Sequence, residues 1–188
     1  LCPAILWQCR RSAAACAALH AQGKNDEVEG KTGLSINPLF PASKLGWVIE
    51  NVPEASALAA SGNLRPGTVD SWLLWNLNGG TVFATDHSNA SRTQLFHTGE
   101  LSWDTDLCTL FGVPLSALAT PVHSDTRFGE TGEGATDLPA GIPILAMMGD
   151  SHAALYGHGV RAPGVVKATY GTGSSLMTLT PQRVASKN

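Results

Sequence analysis

The sequence predicts an α/β fold, and two stretches near its end carry most of that prediction. Residues 142–148 are a short apolar run bounded by Gly and Pro, typical of a buried strand, and a helical pattern follows them. Residues 165–169 and 175–180 are two strand-like segments joined by a Gly-rich turn. Upstream, helical patterns alternate with brief strand-like segments. Helices and strands that alternate along the chain indicate an α/β fold.

The composition argues against two classes of partner and favours an intracellular protein. Charged residues make up 14% of the 188 residues, the net charge is −3, and no basic patch is present. This argues against nucleic acid or an anionic membrane as a partner. We expect a cytoplasmic location, because the sequence shows neither a leader nor an apolar run of membrane-spanning length. The four cysteines and six histidines lack metal-ligand spacing, so we expect free thiols and assign no metal ligand.

The first third of the chain predicts one strand and three helices. Apolar residues 3–8 predict the strand, the Ala-rich segment 10–21 with Gly behind it predicts a helix, and the charged residues 24–31 predict a surface segment. A helix that begins at Pro41 carries an apolar stripe at i, i+3, i+4 and i+7 and ends before a second Pro. The stripe is Leu45, Val48, Ile49 and Val52. Residues 54–61 predict another short helix.

The middle of the chain predicts short elements between loops. Thr68 is expected to cap a helix over 69–77, residues 82–84 predict a brief strand, and residues 86–92 predict a turn or a capped helix start. The Gly- and Thr-rich stretch 119–140 is expected to be a long surface excursion. The tryptophans are expected in the core, except Trp7, which is a candidate for stacking on a ligand.

Asp150 is the first candidate for a functional residue. It follows the predicted strand 142–148 and begins a helix, and open α/β sheets place their chemistry at the carboxyl ends of strands. The same position suits a plain helix N-cap, so position alone leaves both roles open. Gly149 before it and the Gly-rich turn further along favour a catalytic role. A carboxylate there can accept the proton of a hydroxyl that attacks a γ-phosphate.

Two other patterns near Asp150 have simpler explanations. Residues 149–153 mimic a nucleophile elbow with Ser151 at its centre, but no acidic residue follows Asp150, so a hydrolase triad is not supported. The turn 170–173, Tyr-Gly-Thr-Gly, has backbone N–H groups that can line an anion, although such turns are more often plain hairpins. It matches neither a Walker A loop nor a dinucleotide-binding fingerprint.

Taken together, these segments resemble the FGGY carbohydrate kinases, and most closely the glycerol kinases among them. The matching stretches are residues 7–11, 32–34, 40–47, 67–75, 85–93, 149–150 and 170–173. The resemblance implies an actin-like ATPase fold of the ribonuclease H-like type, with ATP and substrate in a cleft between two domains. Residues 1–160 would then be the latter part of the N-terminal, substrate-side domain. Residues 161–188 would be the opening β-hairpin of the C-terminal, nucleotide-side domain, and the chain would be a central fragment of the enzyme.

The resemblance also implies an activity and its cofactors. It implies transfer of the γ-phosphate of ATP, with Mg²⁺, to a hydroxyl of a sugar or polyol. Whether the protein is a homo-oligomer stays open. Two alternatives stay open: a glycerol kinase proper, and a non-catalytic actin-like module that binds nucleotide. By the resemblance, Asp150 is the catalytic base, Gly171 and Thr172 contact the nucleotide phosphates, and Trp7 packs against the carbon chain of the acceptor.

Three departures from the glycerol kinase pattern concern the acceptor site. Leu39 stands where those kinases carry a substrate-binding Tyr, Ser151 replaces a Gln, and Ser175 replaces a Phe. All three replacements are smaller, and two polar anchors are lost or shortened. Because a site built to bond a hydroxyl discriminates strongly, these changes predict a roomier pocket that takes a longer polyol or a ketose.

Overall fold

The computed structural model describes residues 1–171 and 174–184, which form short helices and strands in mixed order. The helices are α1 (Ala13–Ala21), α2 (Asn25–Thr32), α3 (Pro41–Asn51), α4 (Pro53–Ala60), α5 (Val69–Leu77), α6 (His87–Ala90), α7 (Thr105–Leu110) and α8 (Asp150–Gly157), with a 3-10 turn at Leu115–Ala117. The strands are β1 (Ala84–Asp86), β2 (Phe96–His97), β3 (Ser102–Trp103), β4 (Thr120–Val122), β5 (Gly129–Glu130), β6 (Pro143–Ile144), β7 (Val166–Tyr170) and β8 (Ser174–Thr178).

The strands pair two by two within the described residues. β1 pairs with β4 in parallel, while β2–β3, β5–β6 and β7–β8 are antiparallel. The chain divides into two compact units, Leu1–Met147 and Met148–Asn188. None of the described helices has the length and apolarity needed to cross a bilayer.

Helix α3 organises the core of the first unit and follows its sequence pattern closely. It begins at Pro41, as predicted, and Pro53 begins the next helix. Its apolar stripe packs on two neighbouring clusters, since Leu45 and Ile49 contact the larger cluster and Val48 and Val52 the smaller one. The buried members of the larger cluster are Cys16, Val28, Ile36, Ala42, Leu95, Leu107, Cys108, Phe111 and Val113.

Gly46 lets α3 approach the segment after α7. A Cβ atom at this position would overlap the backbone oxygen of Phe111, whereas a Cβ at Gly30 of α2 would meet nothing within 4 Å. We therefore expect the same substitution to have opposite signs at these two helical positions. Gly46→Ala should lower the free energy of unfolding by about 1–3 kcal/mol through overpacking, and Gly30→Ala should raise it by about 0.5–1 kcal/mol.

Thermal unfolding of both variants beside the wild type checks this prediction. For a chain of this size, 1 kcal/mol corresponds to roughly 2–4 °C in Tm. A shift of the same sign in both variants would contradict the packing of α3 against Phe111.

Asp86, at the end of β1, is the most densely hydrogen-bonded carboxylate among the described residues of the first unit. Its side chain is fully buried and caps α6, accepting bonds from the backbone N–H groups of Ser88 (3.0 Å) and Asn89 (3.1 Å). It also accepts bonds from the side chains of Ser88 (2.6 Å), Asn89 (2.7 Å) and Ser124 (2.5 Å). Burial alone would raise the pKa of Asp86, but these hydrogen bonds outweigh it and hold the pKa below its ordinary value.

Two apolar runs that predicted strands behave differently in the structure. Residues 3–8 form no strand and end in a turn, in which the Cys9 N–H donates to the Leu6 carbonyl at 3.0 Å. Of residues 142–148 only Pro143–Ile144 is a strand, and Leu145 is 59% exposed. A strand needs a neighbour to accept its hydrogen bonds. Within the described residues the first run lacks one and the second pairs over two residues, so both predictions are wrong.

Other segments depart from expectation in smaller ways. The charged segment 24–31 lies mostly within helix α2, which buries Val28 completely, and the stretch 119–140 contains β4 and β5. Helix α5 has the predicted bounds, but Thr68 makes no side-chain cap, and the Ser71 hydroxyl donates to its carbonyl instead. Trp72 and Trp75 on this helix are 62% and 40% exposed, so their assignment to the core is wrong.

Candidate functional site

Trp7 and Leu39 line one open pocket of the first unit. Its volume is about 290 Å³, at the small end of the range of roughly 300–1,000 Å³ that is usual for small-molecule sites. The other lining residues are Gln8, Cys9, Arg10, Asn37 and Pro38. The Trp7 and Leu39 side chains are 59% and 42% exposed, so both apolar surfaces are available to a ligand. The structure thus brings together the two acceptor-site candidates of the first unit.

Two tight turns build the walls of this pocket. The first holds Trp7 and is closed by the hydrogen bond from the Cys9 N–H to the Leu6 carbonyl. In the second, the Asn37 side-chain oxygen accepts the Leu39 N–H at 2.9 Å, and the Asn37 carbonyl accepts the N–H of Phe40 at 3.2 Å. Asn favours such turns because its short side chain can bond its own backbone two residues on. Leu39 therefore lies in a turn that Asn37, two residues before it, favours.

Lys44 contacts the backbone of two pocket-lining residues, and this role was not predicted from the sequence. The residue is only 5% exposed, and its ammonium group donates to the carbonyls of Leu39 (2.8 Å) and Trp7 (3.4 Å). Burial lowers the pKa of Lys44 below its ordinary value. A signal was present, since Lys44 stands four residues before Val48 and so falls on the apolar face of α3, where a Lys is unexpected.

Cys9 is the one thiol on the rim of the pocket among the described residues. The Arg11 guanidinium donates to its sulfur at 3.0 Å. The backbone N–H and then the side chain of Arg11 hold the pKa of the Cys9 thiol below its ordinary value. Arg11 itself lies over the ring of Trp47, 4.8 Å from its centroid, which helps to hold the guanidinium in place.

Asp150 and Ser151 lie in the second unit, at the start of α8. Asp150 is the first residue of the helix, is exposed, and accepts the Ser151 N–H at 2.6 Å, while Ser151 is half-buried. Gly149 is the N-cap, so Asp150 does not itself occupy the cap position. A carboxylate in the first turn of a helix lies at the favourable end of the helix dipole, and Asp150 as a whole is exposed. This arrangement suits a proton acceptor for an incoming ligand.

The β7–β8 hairpin carries the remaining candidates. Its register pairs Tyr170 with Ser174, so the connection between the strands is the Gly-Thr-Gly segment, as the sequence predicts. Gly171 at the start of the connection is exposed, whereas Thr172 lies outside the described residues. Ser175 pairs with Thr169 and is half-buried on the more covered face of the hairpin. An exposed Gly at the turn leaves its backbone accessible to an anion such as a phosphate.

The described residues provide no cage for a metal ion. Within 1–171 and 174–184 there is no group of three His, Cys, Asp or Glu side chains placed to hold one.

Comparison with known proteins matches the chain to kinases of small carbohydrates. Residues 1–157 match the N-terminal domain of the FGGY family of carbohydrate kinases. The chain is 49% identical over 177 residues to an apulose kinase of Pectobacterium atrosepticum, covering 94% of this chain and 36% of the relative. It is 48% identical over 188 residues to a glycerol kinase of Alcanivorax borkumensis, covering all of this chain and 37% of the relative.

A solved structure agrees with these relatives. The crystal structure of Plasmodium falciparum glycerol kinase with ADP superimposes with a TM-score of 0.87 at 32% identity, covering 92% of this chain and 34% of that one. The chain therefore spans little more than a third of the length of the proteins that it matches. The predicted α/β fold of the actin-like, ribonuclease H-like type is confirmed.

Proposed function

The chain belongs to the FGGY family of carbohydrate kinases, and on this premise we propose that it is the central part of an ATP-dependent phosphotransferase with a sugar or polyol hydroxyl as acceptor. The observation that carries the proposal is the pocket between Trp7 and Leu39, because the family resemblance assigns both residues to the acceptor. An exposed aromatic face beside an aliphatic one suits the carbon chain of a polyol, and pocket-edge polar groups such as Asn37 can bond its hydroxyls.

In the proposed mechanism, Asp150 accepts the proton of the acceptor hydroxyl as that oxygen attacks the γ-phosphate. The chain's contribution is then positioning and proton transfer, and positioning supplies much of the rate in phosphoryl transfer. ATP supplies the phosphoryl group, and the exposed backbone at Gly171, with Thr172 beside it, would hold its phosphates. Mg²⁺ would bind together with the ATP phosphates and neutralise their charge, and no residue of this chain is assigned to it as a ligand.

We extend the proposal to the organisation of the whole protein. Residues 1–160 would form the latter part of the substrate-side domain and residues 161–188 the opening hairpin of the nucleotide-side domain. The protein would be cytoplasmic, with a small molecule rather than nucleic acid or a membrane as its partner, and it could form a homo-oligomer. The relatives' greater length supports a longer protein around this chain.

The acceptor is proposed to be longer than glycerol. Leu39, Ser151 and Ser175 are each smaller than the residues that glycerol kinases carry, and the relatives include both an apulose kinase and glycerol kinases at nearly equal identity. A pocket that lacks those polar anchors loses discrimination in favour of glycerol.

A coupled ADP-release assay on the full-length protein tests both parts of the proposal. The acceptors are glycerol, erythritol, xylitol, xylulose, ribulose, gluconate and apulose, each with saturating ATP. We expect turnover with a ketose or a longer polyol, with kcat/KM at least about tenfold above that for glycerol, since one lost polar contact is worth that much or more. Activity confined to glycerol would refute the longer acceptor but retain the kinase. ATP binding without turnover on any acceptor would favour the non-catalytic actin-like module.

A further inference from the structure

Lys44 poses a physical question that core packing does not answer. The residue is only 5% exposed, and it takes part in none of the ion pairs formed among the described residues. Burying an ammonium group without a carboxylate is unfavourable, and carbonyl oxygens compensate for it only in part. A Met would fill a similar volume without that desolvation. The charge therefore has a role other than filling space.

The two hydrogen bonds of Lys44 indicate what that role is. Its ammonium group donates to the Leu39 carbonyl at 2.8 Å and approaches the Trp7 carbonyl at 3.4 Å. These carbonyls belong to the two turns whose residues line the pocket. The bond to Trp7 spans a long stretch of sequence, since Lys44 and Trp7 are 37 positions apart. One buried cation thus joins two segments that are distant in sequence.

The base of the Lys44 side chain is itself firmly held. Its two preceding residues are anchored to other segments, since the Ala42 N–H donates to the Thr93 carbonyl at 2.9 Å and the Ser43 and Ser12 hydroxyls form a buried bond of 2.9 Å. The first turn of α3 is therefore tied on two sides. The Lys44 ammonium group can set the separation of the two turns, because the backbone that carries it is held in place by these bonds.

We propose that Lys44 is a positioning residue that determines acceptor specificity, because its ammonium group holds the Trp7 and Leu39 turns at the separation that fits the acceptor. This inference rests on the proposed function, since it names what sets the width of the proposed acceptor pocket. Lys44 contacts backbone carbonyls and acts on the acceptor through the two side chains that line the pocket. Burial lowers the pKa of Lys44, which expresses the cost of burying the charge that the two carbonyl bonds offset in part.

The test uses Lys44→Met in the full-length protein, with Lys24→Met as the matched control. Lys24 pairs with Glu27 on the surface and lies outside the pocket, so the control makes the same chemical change at a solvated position. Lys44→Arg is the conservative variant. It retains the positive charge but carries it on a planar guanidinium group, whose donors lie at different positions from those of the ammonium group.

The first readout is hydrogen–deuterium exchange in peptides that cover the two turns, which needs no activity. In Lys44→Met we expect faster exchange at the N–H groups of Cys9, Leu39 and Phe40, whose hydrogen bonds close the turns. The increase should be larger at Leu39, because the bond to its carbonyl is the shorter one. Lys24→Met should leave both peptides unchanged, and Lys44→Arg should give a smaller increase than Lys44→Met.

The second readout is steady-state kinetics with the best and the second-best acceptor. We expect KM for the best acceptor to rise about tenfold in Lys44→Met while kcat changes less than about threefold, the pattern of lost ground-state positioning. The preference between the two acceptors should shrink about tenfold in the same variant. The thermal midpoint distinguishes this from a loss of fold, since a purely structural role lowers Tm and leaves the KM of the folded enzyme unchanged.

Each combination of results decides the question. If hydrogen exchange in both turns is unchanged, Lys44 does not hold the two turns, whatever the kinetics show. Faster exchange with an unchanged KM and acceptor preference overturns the role in specificity. If exchange is faster in Lys44→Met but the wild type phosphorylates none of the acceptors, Lys44 still holds the two turns and the proposed function is refuted. If Lys44→Met does not fold, Lys44→Arg carries both readouts and the same outcomes apply.

Discussion

Asp150→Asn in the full-length protein should lower kcat by about 10²–10⁴-fold, the usual range for removal of a general base. Asn keeps the size and shape of Asp and can still accept the Ser151 N–H that Asp150 accepts at 2.6 Å. The start of α8 should therefore form as before. What the amide cannot do is take the proton of the acceptor hydroxyl, so the loss falls on the chemical step rather than on binding.

The matched control for this prediction is Asp137→Asn, which removes a carboxylate from an exposed loop position without an assigned role. It should leave kcat and KM unchanged, and both variants should stay within about 0.5 kcal/mol of the wild type in stability, as is usual for surface substitutions. The ADP-release assay with the best acceptor measures kcat, and titration of the acceptor gives KM. Full activity in Asp150→Asn would show that Asp150 merely begins a helix and that the base lies elsewhere.

Asp86→Ala should destabilise the protein more than any other single substitution considered for this chain. The change removes the buried acceptor of five hydrogen bonds, which the half-buried residues Ser88, Asn89 and Ser124 donate. A hydrogen bond to a charged group contributes about 1.5–3 kcal/mol, and because the half-buried donors can relax towards other partners we expect a total loss of about 3–5 kcal/mol. The expected fall in Tm is on the order of 10 °C.

Two further variants turn this into a test of the carboxylate itself. Asp86→Asn preserves the shape and part of the bonding and should cost about 1–3 kcal/mol. Asp106→Ala removes an exposed carboxylate whose partner, Lys31, retains its bond to Asp104, and should change stability by less than about 0.5 kcal/mol. Equal Tm values for Asp86→Ala and Asp106→Ala would show that the buried hydrogen bonds of the Asp86 carboxylate do not stabilise the fold.

The pH dependence of the Asp86 effect has a definite sign. Hydrogen bonds lower the pKa of Asp86 in the folded protein below its ordinary value of 3.8. The ionised carboxylate therefore contributes its full stabilisation above pH 3.8, and that contribution is lost as the pH falls through the lower folded pKa. The Tm difference between wild type and Asp86→Asn should thus be constant from neutral pH down to about pH 5 and shrink in stronger acid. A difference that grows on acidification would reverse this assignment.

Elements with strong local signals were predicted well from the sequence. The start of α3 at Pro41, its apolar stripe and the bounds of α5 all follow from residues within a few positions of one another. The β7–β8 hairpin follows from a Gly-rich turn between two strand-like segments in the same way. Local backbone preference and helical periodicity act over one or two turns, so the chain itself encodes them.

Whether an apolar segment becomes a buried strand was not predictable in the same way. Residues 3–8 and 142–148 have the composition of strands, yet the first has no ladder in the described part of the chain and the second has two paired residues. Trp72 and Trp75 likewise face solvent on a helix whose sequence suits a core. Burial and pairing depend on what another segment presents at that place, which no local pattern contains.

For the candidate site, the sequence by itself determined the family, the predicted roles of Asp150, Trp7 and Leu39, and the turn that carries Gly171. Only the tertiary structure decided that Trp7 and Leu39 share a pocket and that Lys44 bonds the backbone of both. The physical reason is that these contacts join segments that are distant in sequence. Their geometry depends on how α3 packs in the core, and the packing of α3 is set by every element that surrounds it.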